Sequence, residues 1–510
     1  MIEGRKLSSD KKKDSHDYSE DYLTFVAREN GTFTFTPKNN NVISYSTDNG
    51  KTWTEGNSVE VSNGDKVMWK GTMTSESYSG VGTFSSTAEF DVQANIMSLL
   101  YGDNFKGQTD LTGKIYAFYL LFYNNTKVVN AENLSLPATT LANNCYESMF
   151  QFCTNLTTAP ILPATTLAEY CYRNMFQNCR SLTTAPALPA TTLVQYCYIA
   201  MFSGCTNLTT APELPATTLA NYCYTSMFRD CTSLVTAPVL PATTLADYCY
   251  QYMFNGCTSL VNAPELPATT LADRCYLNMF NNTNIIPDCS NIDFTSETVV
   301  SSGGLRGLFG GTKITDADLE RILPKNTNEK YCLPVTTLAD NCYNLMFSGC
   351  INLTTAPELP ATTLANGCYS SMFSGCTALT TAPELPATTM TNNCYREMFK
   401  NCTSLTTAPD LPATTLYPPN VTGDYDGTTA GCYYQMFYGC SNLNYIKAMF
   451  IACTWTQRSN PTSSKTAYCT KDWVTGVAAT GTFVKNSSAT WNITGANGIP
   501  TGWTVETASE

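Results

Sequence analysis

The sequence predicts an α/β solenoid in which each 26-residue coil contributes one short strand and one short helix, about twelve coils stacking in a row. A small β-sandwich-like domain precedes it and a small β module follows. Three observations carry this reading. The phrase Cys-Tyr-x-x-Met-Phe recurs ten times, first at Cys145, Tyr146, Met149 and Phe150. Its cysteines Cys145, Cys171, Cys197, Cys223, Cys249 and Cys275 are 26 residues apart, and Cys342, Cys368 and Cys394 resume the period. Such a period marks units that bury their apolar face only by stacking on their neighbours. Outside the repeats, Tyr22 to Val92 alternates apolar and polar residues, as in Thr32-Phe33-Thr34-Phe35 and Val59-Glu60-Val61, around the turn Asp48-Asn49-Gly50. That is the pattern of half-buried strands.

Within a repeat, a 100° wheel puts Cys145, Tyr146, Met149, Phe150 and Cys153 on one face, which predicts an amphipathic helix. Leu136-Pro137-Ala138-Thr139-Thr140 leads into it, and later units offer Thr166 with Glu169 and Thr192 with Gln195 as capping boxes. Asp247, Asp273 and Asp340 fall in the same predicted first turn, where the helix dipole favours negative charge. After the second Cys, Leu156 to Pro163 is short, β-branched and bounded by prolines, an extended rung whose ladder pairing proline restricts. Aligning on the repeat Phe places Phe122 and Phe309 in divergent coils.

The expected organisation is a flexible polar leader over 1–21, the N-terminal β domain over 22–100, the solenoid over 101–453 and the C-terminal β module over 454–510. Irregular coils occupy 284–331, and an insertion rich in Tyr, Gly, Asp and Pro occupies 417–431. Ile2 to Arg5 spell an engineered protease site.

A net charge of −12 and pI near 4.7 argue against nucleic acid, whose phosphates need clustered Lys and Arg. No secretory signal is visible in Met1 to Tyr22, and the apolar run Tyr116 to Tyr123 is far short of the ~20 residues of a spanning helix. The 23 cysteines suggest disulfides by number alone. On a helix, however, Cys145 and Cys153 are ~12 Å apart, too far to bridge. Thr283 and Thr312 stand in the second-Cys slot, so the thiols are expected to be reduced and structural. The sole histidine, His16, lies in the leader, which excludes His-dependent nucleophilic or metal chemistry in the body. No phosphate loop or dinucleotide fingerprint is present. The chain is expected not to be an enzyme and to need no cofactor.

One strand and one helix per 26 residues is leucine-rich repeat architecture. The phrase Met-Phe-x-x-Cys-Thr-x-Leu-Thr-x-Ala-Pro-x-Leu-Pro, from about Phe122 to Cys453, resembles the BspA-like leucine-rich repeats of bacterial surface proteins. Ser44 to Trp53 and Phe90 to Leu100 resemble leader domains of repeat proteins of gut Bacteroidales and their phages, and Trp473 to Trp503 resembles their terminal module. The resemblance implies a binding or adhesion protein. Free thiols and the missing signal fit a phage fibre or receptor-binding protein on the virion surface. The alternative is an exported adhesin on the bacterial cell surface, and a third is a spacer without ligand. Expected partners are a bacterial surface glycan or protein, other virion proteins through the N-terminal region, and further copies of the chain.

Two features stand out as candidate sites. Between Ala-Pro and Leu-Pro, Glu358, Glu384 and Asp410 form a like-charged column in successive coils, and Tyr417, Asp424, Tyr425 and Asp426 lie in the neighbouring insertion. The column is either a solvated stripe or a recognition surface that could take a weak calcium ion. Trp53, Trp69, Trp491 and Trp503 are core residues or sugar platforms.

Overall fold

A computed structural model describes residues 16–75, 78, 80–269, 271–286, 289, 303–416, 431–451, 454–456 and 466–508. The insertion residues Tyr417, Asp424, Tyr425 and Asp426 lie outside the described residues.

The N-terminal strands form two sheets. One has the order β10 (Leu134–Ser135), β8 (Phe90–Asn95), β1 (Leu23–Ala27), β6 (Lys66–Gly71), β3 (Ile43–Ser46), β4 (Thr54–Glu55), with β9 (Val128–Asn130) also on β8. The other is β5 (Ser58–Val61), β2 (Gly31–Pro37), β7 (Gly82–Ser86). The alternation read from the sequence turns Phe33 and Phe35 inward, 0% and 1% exposed, and Phe25 meets Phe33 and Phe84 at ring distances of 5.5 and 4.7 Å. The sheet crosses the boundary expected at residue 100, because β9 and β10 pair with β8 in parallel. Phe84 stacks on Phe122 at 5.7 Å and Phe122 on Phe150 at 5.1 Å, so one aromatic core runs from these sheets into the repeats. Residues 17–21, expected in the flexible leader, hold a 3-10 turn, and the Ser19 carbonyl accepts from Asn95.

Among the described residues the Cys-Tyr-x-x-Met-Phe repeats contain no helix; the only α-helical turns are Ser98–Tyr101 and, in the irregular coil, Leu319–Ile322. The Cys-Tyr-x-x-Met-Phe segment is a run of tight turns. The amides of Glu147, Met149, Gln151 and Cys153 donate to carbonyls three residues back. Those of Tyr146, Ser148, Phe150 and Phe152 donate instead to Cys171, Arg173, Met175 and Gln177 of the next coil, at 2.8–3.0 Å. Alternate amides thus close turns and join coils, so nearly every backbone donor is used. Residues with positive φ recur every four positions, at Asn144, Ser148 and Phe152 (φ 59°, 55° and 64°). That value is what the third residue of a type II turn requires. Two residues in and two out has a period of four, which a 3.6-residue wheel reproduces over nine residues; this is why the pattern reads as a helix.

With no helix to cap, the leading residues tie coils together. Thr166 N–H donates to the Thr139 carbonyl, and the Asp247 carboxylate accepts from Asp273 N–H at 3.0 Å, as Asp340 does from Asn366 N–H at 2.9 Å. The predicted strand shrinks to single-residue parallel bridges, Asn130 to Thr158 to Thr184 to Thr210 to Thr236. Pro160 and its counterparts lack the N–H a longer ladder needs. Where these prolines are missing, the rung widens into the parallel strands β11 (Tyr445–Ala448), β14 (Thr482–Lys485) and β15 (Thr504–Thr507). A hairpin of β12 (Thr454–Thr456) and β13 (Thr466–Tyr468) lies between β11 and β14 in the chain. The turn ladder also passes the boundary expected at 453, since Tyr433, Gln435, Phe437 and Gly439 donate to Cys469, Lys471, Trp473 and Thr475. In the irregular region, Gly307, Phe309 and Gly311 donate to Asn344, Met346 and Ser348, which keeps the stack unbroken there.

Candidate binding faces

Inward columns are apolar and closed. Phe150, Phe176, Phe202, Phe228, Phe254 and Phe280 stack at 5.6–5.8 Å with rings within 10° of parallel, and a tyrosine column from Tyr146 to Tyr276 runs beside them. The described cysteines are buried, and those of the repeats from Cys145 to Cys275 and from Cys342 to Cys402 carry free thiols. The second thiol of each repeat donates back one coil, as Cys153 does to the Phe122 carbonyl at 3.0 Å and Cys179 to Phe150 at 3.0 Å. The hydroxyls of Thr283 and Thr312, in the same slot, donate instead within their own coil, to Phe280 and Phe309 at 2.7 Å, so the slot holds either small donor without a disulfide. Burial pushes the thiols of Cys171 and Cys205 up to about 12, so they are protonated and unreactive at neutral pH. His16 sits beside Asp21 at the surface, far from any thiol column in sequence. Among the described residues no group of three or more His, Cys, Asp or Glu side chains comes together as a metal cage.

The position between Ala-Pro and Leu-Pro faces solvent: Ile161 and Val239 are 69% and 78% exposed. Glu358 and Asp410 at this position are held by lysines of the same chain. Glu358 accepts from Lys330 Nζ and Asn326 Nδ2, each at 2.7 Å, and Asp410 accepts from Lys447 Nζ at 2.6 Å. Glu384, between them, is exposed. The repulsion of the column is therefore partly neutralised at both ends from within the chain. Of the tryptophans, Trp69, Trp491 and Trp503 are buried, and the Trp491 and Trp503 indoles donate to Phe450 and Ala478. Trp53 is half-buried under Lys70, whose Nζ lies 4.3 Å from the ring centre.

A second face went unremarked in the sequence although its signal is plain. The residue before each Cys-Tyr pair is Tyr170, Tyr196, Tyr222 and Tyr248 in four successive coils. Their half-exposed rings stack at 4.5, 5.0 and 4.4 Å, with Arg173 over Tyr170 and Arg274 over Tyr248 at the two ends. All four sit at positive φ, 59° to 65°, which directs them outward from the turn ladder. On later turns of the same coils, and lined by none of these tyrosines, lies an open groove of 540 Å³ with Gln177, Asn178, Arg180, Ser203, Ser226, Arg229 and Asp230 in its lining. Farther along, Tyr434 is covered by Arg396 at 4.4 Å and Lys471 at 6.0 Å, while Glu397 bridges Arg396 and Lys400.

A backbone of stacked 26-residue coils with an apolar interior and a variable outer face defines a repeat protein of the binding or scaffold type. A family description for the BspA type leucine rich repeat region matches residues 120–199, 174–299 and 335–414, in six copies covering just over half of the chain. The chain belongs to the BspA type leucine rich repeat family. No curated protein matches it.

Proposed function

We propose that the chain is a non-enzymatic adhesion protein, a fibre or receptor-binding component on a phage virion that recognises a bacterial surface ligand through its repeats. The observation that carries this is the contrast between a backbone that repeats and an outer surface that does not. Tyr170, Asn341 and Gly367 share one turn position at φ 59°, 57° and 61°, yet present a phenol, an amide and no side chain. Variation on a fixed frame is how a repeat protein writes a binding surface. The free, buried thiols of Cys145 to Cys275 and Cys342 to Cys402 fit assembly in a reducing cytoplasm. The family assignment favours a second reading, an adhesin on a bacterial surface.

Antibodies against the chain, applied in immunogold microscopy to phage lysates and to whole Bacteroidales cells, separate the two. Label on particles supports the virion reading, and label confined to cell envelopes supports the second. Fluorescent chain that attaches to no bacterial cell in a panel would sink adhesion altogether.

A further inference from the structure

The geometry points to the turn face between Tyr170 and Asp230 as a binding site for a linear glycan that carries carboxylates, an oligouronate. This inference rests on the adhesion reading and names the ligand class. The tyrosine column presents ring edges and a row of hydroxyls, because each ring covers the next at 4.4–5.0 Å. Such a row offers alternating apolar and hydrogen-bonding contacts, which is the surface a sugar chain displays in return. Successive phenols of this column stand 4.4–5.0 Å apart. That interval is close to the length of one sugar in an extended glycan, so a repeating ligand meets a repeating surface and gains from many weak contacts at once.

The groove on the same coils, farther along the turns than the tyrosines and lined by none of the four, sets the charge. Arg180 is exposed and makes no ion pair among the described residues, and the exposed Arg229 engages Asp230 through Nε at 3.3 Å with its guanidinium 5.9 Å from the Tyr252 ring centre. A guanidinium fork matches a carboxylate in shape and charge. Gln177, Asn178, Ser203 and Ser226 complete a polar lining suited to sugar hydroxyls.

The fold itself does not demand these residues. In the coils around Asn341 to Thr377 the tyrosine position holds Asn341 and Gly367, the Arg229 position holds Ser348 and Ser374, and the Arg180 position holds Ile351 and Thr377. The same turns form there, with Gly349 and Gly375 donating to the next coil at 2.7 Å as Gly204 does. Substitutions borrowed from those coils therefore remove the site and keep the frame.

Calorimetric titration of the full chain with galacturonate, glucuronate and mannuronate oligomers, and with neutral glucose oligomers of equal length, tests the inference. At least one uronate oligomer is expected to bind, more weakly as salt rises. R180T/R229S and Y196N/Y222N are each expected to weaken it about tenfold or more, with the arginine pair leaving Tm nearly unchanged. Absence of binding by all three uronates overturns the inference, as does binding that survives both variants. Neutral oligomers that bind as well as the uronates, unaffected by R180T/R229S, overturn the carboxylate specificity. Chain that attaches to cells while binding no uronate refutes this ligand and leaves adhesion standing; chain that attaches to nothing refutes adhesion itself.

Discussion

Replacing Gly375 by Ala separates a turn ladder from a helix by the sign of its effect. Gly375 has φ +77°, and a Cβ built there would meet Gly349 Cα at 3.6 Å, an ordinary contact. Steric overlap is therefore negligible, and backbone conformation alone decides. An L-residue in the left-handed region costs about 1–2 kcal/mol, whereas Gly to Ala inside a helix gains about 0.5–1 kcal/mol. The two architectures thus differ by roughly 1.5–3 kcal/mol for one methyl group. Asparagine tolerates the left-handed region, and Asn178, Asn282 and Asn401 occupy the same column at φ 58° to 61°. Urea unfolding of wild type, G375A and G375N, followed by circular dichroism, should rank stability as wild type, then Asn, then Ala. The reference is the first transition, because a repeat array can melt in sections. An alanine variant as stable as wild type, or more stable than the asparagine variant, would refute the turn ladder.

Phe228 is fully buried between Phe202 and Phe254, each at 5.8 Å, so F228A should cost about 3–5 kcal/mol. R229S, at an exposed position, should cost under about 0.5 kcal/mol, and equal losses in urea unfolding would contradict the assignment of faces. The buried hydroxyl of Tyr198 has no hydrogen-bond partner; Y198F should leave stability unchanged or raise it by up to about 1–3 kcal/mol, read as midpoint in the same assay. The thiols should resist alkylation in the native chain at neutral pH, and all 23 should titrate as free thiols in denaturant without reductant; a count far below that would show disulfides and remove the support they give to cytoplasmic assembly.

The sequence by itself determined the period and the inward residues. Cys145, Tyr146, Met149, Phe150 and Cys153 had to face the core under either backbone, because burial follows apolar spacing. It also held the evidence against a helix, in the run Asn178, Gly204, Asp230, Gly256 and Asn282 at one repeat position, residues that favour positive φ. Period four and period 3.6 separate too little over nine residues for apolar spacing to choose between them. The choice fell to hydrogen bonding, since a helix satisfies its amides within itself whereas these turns send half of them to the next coil. Likewise the spacing of Glu358, Glu384 and Asp410 was legible, but Lys330 and Lys447, the first 28 residues before Glu358 and the second 37 after Asp410, reach the column only through the fold. The tyrosine column became a surface for the same reason: the left-handed turn that points Tyr170, Tyr196, Tyr222 and Tyr248 outward exists only once neighbouring coils accept its amides.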